Sequence, residues 1–492
     1  MFDARMLRDP STGLTLDLSA APELPWTALD GPVGRALSAM SALEAGAIAN
    51  KDEGRRVGHF WLRAPQLAPD DETTDQIRGL HTALRALDPG DATDVLLVGI
   101  GGSALGPQLV ADALAAPGDR ARLHLMDNTD PEGIHRVLAR LDLARTIVLI
   151  VSKSGGTSET HNGMLAVMAA AARAGVDFAS RAVAITVEGS ALHQRAEGWR
   201  ARLPLWDWVG GRYSVTSAVG LAPMALCGWD WQGFLAGAAA ADALTRRPFA
   251  ENPAALLAAS WYVAGDGRGD RNLVIEPYRD RFLLLSRHLQ QLVMESLGKT
   301  LDRRGRVVHQ GLTVYGNKGS TDQHAMMQQV RDGRDDTFVH FVETYAHGPA
   351  LPIDDHRDAS DTLVGLMYGT RAALRETGRP SVTIGVPDAS ARSLGMLIAL
   401  FERAVGLYAE LIDVNAYHQP GVEAGKRAAQ GALDLLSALE ARLGDAPATA
   451  EQLAQGAEPL LCWRLLTHLA HTGRAALVPG SQPSLDRFSA PA

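Results

Sequence analysis

Cysteine is nearly absent from this chain of 492 residues: only Cys227 and Cys462 occur, far apart and outside any CxxC or Cys/His spacing. That excludes a disulfide framework and a cysteine-based zinc site, and the expected home is the cytoplasm. Basic excess is missing too, with a formal net charge of -9. A general nucleic-acid partner is therefore not expected, because binding DNA or RNA needs a basic stripe that displaces counterions. A local positive pocket on an acidic protein still suits an anionic small molecule. No uncharged apolar run reaches the about 18 residues of a membrane span. The N-terminal stretch carries Asp3, Asp9 and Asp17 with several prolines, not the basic start and apolar run of a signal peptide.

What is present is ordinary globular material, 46% hydrophobic and 21% charged. At roughly 100 to 200 residues per domain, the length predicts two or three domains. Short apolar runs that end in glycine turns recur in two series. DVLLVGIGG (94–102), LHLMDN (123–128), TIVLIVSKS (146–154) and AVAITVEG (182–189) form the first. NLVIEPY (272–278), LTVYGN (312–317), VHFVET (339–344) and SVTIGVP (381–387) form the second. Continuous apolar strands separated by helices imply parallel sheets covered on both faces. A helix is expected from near Phe282 toward Glu295, another near 391–411, and helices without strands over 425–475. The expected fold class is α/β: two stacked doubly wound parallel-sheet domains with a helical C-terminal extension. The boundaries are 1–250, including an N-terminal helical arm, then 251–440 and 441–492. The last residues, with Pro479, Pro483 and Pro491, read as a loose tail.

Chemistry concentrates in a few stretches. SKSGGTSET (152–160) places Ser152, Ser154, Thr157 and Thr160 at the end of a buried strand, where α/β sheets bind ligands. A helix beginning near Thr157 adds free backbone N–H groups and a favourable dipole, and Lys153 adds charge. N-capping explains one hydroxyl, not four beside two glycines, so the stretch reads as a phosphate cradle containing no metal. GIGGSALGP (99–107) fits the loose dinucleotide spacing through Gly99, Gly101 and Ala104, with Asp127 ending the next strand. Ser103 argues against a pyrophosphate loop, and a ligand-free strand-to-helix turn is the plain alternative.

The GKT at 298–300 is no P-loop, because Val293 stands where the first glycine is needed. Arg212 in GGRYS, Glu295 in ESLGK, His324 in GSTDQHA and Lys426 in QPGVEAGK each have an ordinary reading as a solvated, paired or capping residue. Together they supply a guanidinium, a carboxylate, an imidazole and an ammonium, a set suited to moving a proton between neighbouring carbons.

These segments resemble the glucose-6-phosphate isomerase family, of the sugar isomerase (SIS) fold, over about Gly99 to Lys426. GGRYSVTSAVGL and VNAYHQPGVEAGK are similar to two signatures of that family, and ESLGK with GNKGSTDQHA is similar to its bacterial members. Gly155 and Gly156 depart from the bulkier or hydroxylated residues of the family's phosphate turn, and His418 stands where Asp is frequent.

The resemblance implies reversible isomerisation of glucose 6-phosphate and fructose 6-phosphate, in glycolysis and gluconeogenesis, without cofactor or metal. Glu295 would carry the proton between C2 and C1, with Arg212 stabilising the enediolate. His324 and Lys426 would open and close the ring, and Glu159 would orient His324. Ser152, Lys153, Ser154 and Thr157 would hold the phosphate, and Gly102, Ser103 and Gln419 would line the sugar. The family also implies a homodimer with His324 supplied across the interface. Three alternatives stand beside this: a non-catalytic phosphosugar sensor, an isomerase of another hexose 6-phosphate such as mannose 6-phosphate, and, more distantly, an NAD-binding dehydrogenase.

Overall fold

The computed structural model describes residues 5–491, with the side chains of residues 422–424 and 426 outside the described set. The chain divides into two compact units, one ending at His418 and one beginning at Gln419.

The first unit opens with two short strands, β1 (Met6–Arg8) and β2 (Thr15–Asp17), paired antiparallel. A parallel sheet follows: β3 (Asp94–Val98), β4 (Arg122–Met126), β5 (Thr146–Val151), β6 (Ala182–Thr186) and β7 (Ala201–Pro204), in the order β4-β3-β5-β6-β7. The next strands are β8 (Asn272–Pro277), the hairpin β9 (Lys299–Leu301) and β10 (Val307–Gln310), then β11 (Val314–Tyr315), β12 (Thr337–Thr344) and β13 (Ser381–Val386). The second sheet has the order β1-β2-β13-β12-β8-β11. Its β8, β11, β12 and β13 run parallel, and β2 closes one side antiparallel to β13. The short strands at 6–17 therefore belong to the second sheet, ahead of the expected helical arm at Trp26–Glu44.

The uninterrupted apolar runs are explained by where alternate residues go. In β3, Val95 and Leu97 join the large central cluster, whereas Leu96 and Val98 pack with Met164 and Val167 in an outer one. In the second sheet Leu273 and Ile275 face the same central cluster, and Val274 faces another outer group with Phe341. Each sheet is thus buried on both faces, and the two share one core. Helices Trp231–Leu244 and Ala391–Leu411 lie in that core. They approach closely because Gly237 and Gly395 carry no side chain: a Cβ would sit 1.9 Å from the Arg392 carbonyl and 2.0 Å from that of Phe234.

Three local expectations need correcting. The stretch from Phe282 to Glu295 is not one helix: a 3-10 turn at Asp280–Phe282 and an α-helix at Leu285–Leu289 lead into a π-helical segment, Gln290–Glu295. In the second unit the C-terminal residues are not a loose tail, and the extension is not purely helical. Strand β16 (Arg487–Ser489) pairs antiparallel between β14 (Ala448–Thr449) and β15 (Ala476–Val478). Phe488, fully buried beside Leu439 and Leu466, holds it there against the helices Pro420–Arg442 and Pro459–His471. Finally, His324, which by its place after GSTDQ is expected to open the next helix, instead ends a 3-10 turn, Asp322–His324, ahead of Met327–Asp332.

Candidate functional site

In the first sheet the chain passes from β3 outward to β4 and then back to β5 on the other side. Such a reversal leaves a crevice beyond the carboxyl ends of β3 and β5, the usual ligand position in open α/β sheets. Both hydroxyl-bearing turns lie there. Gly99 follows β3 so near the end of β5 that a Cβ would lie 3.3 Å from the Val151 carbonyl oxygen. Ser103 is half-buried beside it. Gly102 meets another motif: its Cβ would be 2.2 Å from the Gly211 carbonyl, so only glycine permits GIGGS to touch GGRYS. Ser214 Oγ donates to the Gly102 carbonyl oxygen at 3.1 Å and fixes that approach.

After β5 the second turn is folded onto itself. Ser152 Oγ accepts from Gly155 N–H at 3.1 Å and lies 3.4 Å from Thr157 Oγ1, and Ser154 Oγ accepts from Gly156 N–H at 3.2 Å. Thr157 occupies the N-cap of helix Ser158–Arg173, yet its side chain makes no capping bond. Capping therefore does not account for its hydroxyl, and the helix presents its first N–H groups and positive dipole end at this turn. Lys153 points elsewhere: Nζ donates to the Asp207 and Val209 carbonyls at 2.7 and 3.0 Å. Burial, with Arg55 nearby, pushes its pKa down to about 7. It braces the turn after β5 against the loop that leads to Arg212.

Arg212 is 4% exposed, in the 3-10 turn Gly211–Thr216. Nε donates to Ser296 Oγ at 2.8 Å, and Nη2 donates to the Ala416 and His418 carbonyls at 2.8 and 3.1 Å. Nη1 then lies 3.4 Å from Glu295 Oε2, at the end of the π-helical segment. Glu295 Oε2 is buried and has no hydrogen-bond partner among the described residues. The pair is electrostatic, leaving a carboxylate that faces a fixed cation with lone pairs to spare. Tyr213 completes the wall, its hydroxyl 3.0 Å from Ser296 Oγ and its ring stacked on His59 at 4.4 Å. Sequence reasoning missed Ser296, Tyr213 and the two carbonyls; only the adjacency of Ser296 to Glu295 and Tyr213 to Arg212 pointed to any of them.

The remaining expected site residues come from other elements. His324 is exposed, on a turn that Asp322 holds by accepting from Asn317 N–H and Nδ2 at 2.8 and 3.0 Å. Glu159, in the first turn of its helix, makes no hydrogen bond to His324 among the described residues. Gln419 is the N-cap residue of a helix of the second unit, and the Lys426 side chain lies outside the described residues. No helix among the described residues is long and apolar enough to cross a membrane.

The sequence matches the family described as phosphoglucose isomerase over residues 36–375 and 372–451. It is 50% identical to a glucose-6-phosphate isomerase of Geobacter sulfurreducens, with 99% of this chain and 98% of the relative covered. It is 51% identical to one of Synechococcus sp. strain JA-3-3Ab, covering 91% of this chain and 89% of that protein. Among solved structures, a glucose-6-phosphate isomerase from Chlamydia trachomatis superposes with a TM-score of 0.82 at 26% identity, covering 89% of this chain and 91% of the other. Sequence, fold and the convergence of GIGGS, SKSGGTSET, GGRYS and ESLGK agree, and the chain belongs to the phosphoglucose isomerase family.

Proposed function

We propose that this chain interconverts glucose 6-phosphate and fructose 6-phosphate, opening the sugar ring and moving a proton between C2 and C1 through a cis-enediolate. What carries the reading is the Glu295 carboxylate held 3.4 Å from a buried, immobile Arg212, beside the two turns at the first sheet's switch point. Glu295 removes the C2 proton and returns it to C1, as a positioned carboxylate base does. Arg212 stands where negative charge develops, and being fixed beforehand by Ser296 and two carbonyls it needs no reorganisation during the reaction.

Ser152, Ser154, Thr157 and the first N–H groups of helix Ser158–Arg173 hold the phosphate, so remote binding energy positions C1 and C2. Lys153 supports that turn from behind, and Gly102 and Ser103 line the sugar with Gln419. His324 and Lys426 open and close the ring. In this reading His324 acts in a second copy of the chain, which agrees with its exposed turn, and Glu159 orients the partner copy's imidazole. The enzyme is accordingly a cytoplasmic homodimer. The division at about residues 250 and 440 belongs to the same proposal, with β3–β7 before the first boundary and β8–β13 between the two.

The test is a coupled assay of fructose 6-phosphate conversion with wild type and Glu295→Gln. Turnover by the wild type and a loss of about a hundredfold or more in the variant are expected. Equal rates would remove Glu295 from the reaction, and a fully active monomer would remove the partner's imidazole.

A further inference from the structure

The lysine of ESLGK belongs to no step above, yet it is among the most enclosed cations of the molecule. Lys299 is 5% exposed and starts β9, pairing with Gln310 of β10. Its Nζ donates to the carbonyl oxygens of Glu295 at 2.8 Å and Ser296 at 2.7 Å. No carboxylate pairs with it among the described residues. A buried ammonium without a counter-ion is unfavourable unless its hydrogen bonds fill a need.

The need is at the helix end. The last carbonyls of any helix lack intrahelical donors and form the negative pole of its dipole. Here those carbonyls belong to the residue whose carboxylate faces Arg212 and to the residue whose hydroxyl accepts from Arg212. The turn is already tight: Gly298 N–H donates to the Met294 carbonyl at 2.9 Å, and a Cβ on Gly298 would lie 2.8 Å from that oxygen. With i→i+5 bonding, the last carbonyls of a π-helical segment would need donors beyond the helix end, and Lys299 supplies such a donor.

We propose that Lys299 is a positioning residue: by gripping the carbonyls of Glu295 and Ser296 it fixes the end of the π-helical segment and so the direction of the Glu295 carboxylate toward Arg212. The inference rests on Glu295 being the base. Arg212, Glu295 and Asp52 are the charged groups acting on Lys299, with His418 alongside. Burial first, then Arg212, lowers its pKa to about 7, against the opposing pull of Glu295 and Asp52. Its clamp is therefore a full ammonium below that pH and a weaker amine above it.

The experiment compares wild type, Lys299→Met, Lys299→Arg and Glu295→Gln for kcat, KM and pH profile, with amide exchange at Gly298. For Lys299→Met, kcat should fall about tenfold or more with KM within about twofold, and Gly298 exchange should quicken. Lys299→Arg, whose charge does not titrate in this range, should recover most of kcat and lose the alkaline decline above about pH 7. If Lys299→Met does not fold, Lys299→Gln gives the same reading through its weaker, neutral donor. Unchanged kcat, or a fall in kcat with wild-type pH profile and Gly298 exchange, overturns the proposal. An inactive wild type, or Glu295→Gln equal to it, instead overturns the proposed function itself.

Discussion

In the proposed function the carboxyl ends of the two parallel sheets do different work. Beyond β3 and β5 lie glycines and hydroxyls, ordered by backbone hydrogen bonds within single turns. Beyond β8 lies the segment that delivers Glu295, but only after a broken helix has redirected it, and its partner Arg212 arrives from the loop after β7. A phosphate can be held by one turn and one helix end, so that half is local. Proton transfer needs a carboxylate and a cation at a set distance, and these come from residues 83 positions apart, pinned by carbonyls more distant still.

Breaking each half should have a different signature. The largest effect is expected for Arg212→Gln, which removes the cation and frees Ser296 Oγ and two carbonyls: kcat should fall about a hundredfold to a thousandfold, as when a preorganised electrostatic group is lost. A fall in KM affinity alone, with kcat kept, would place Arg212 on the phosphate side. Ser152→Ala, in the local half, should lower kcat/KM for fructose 6-phosphate about tenfold, near the worth of one hydrogen bond to a charged group, with little change in thermal stability. An unaltered kcat/KM would separate that turn from the substrate.

The smallest effect concerns stability. Glu276, in β8, is 1% exposed, and its two buried carboxyl oxygens have no well-formed hydrogen bond among the described residues. Burial, with Asp322 beside it, pushes its pKa up to about 9 from an ordinary 4.5. The unfolded chain releases this proton first, so between those two pH values rising pH favours unfolding. Glu276→Leu should therefore raise Tm by about 2 °C or more at pH 8 and by less at pH 5. A gain independent of pH would mean that packing, not the buried acid, is responsible.

Much of this was legible in the amino-acid order. DVLLV and TIVLIV are strands because an unbroken apolar run follows one polar residue in each, and SKSGGTSET turns into a helix where its hydroxyls cluster. The residues less visible were those whose partners are far away. Thr15–Asp17 is a three-residue strand that exists because β13 offers an edge, with Met6–Arg8 adding to it in turn, and Arg487–Ser489 becomes a strand because Phe488 finds a buried place. Neither has a local period long enough to detect. The same holds for Lys153, whose charge suggested a phosphate ligand but whose ammonium is turned to the carbonyls of residues 207 and 209.

The sequence by itself therefore determined the alternation of buried strands and helices, the two glycine-hydroxyl turns and the identity of the charged groups, because each depends on neighbours a few positions away. Only the tertiary structure decided that Gly102 meets Gly211, that a π-helical segment turns Glu295 toward Arg212, and that Lys299 grips the end of that segment. Those are contacts between distant parts of the chain. Distance and direction exist there only after the two sheets have packed on one core.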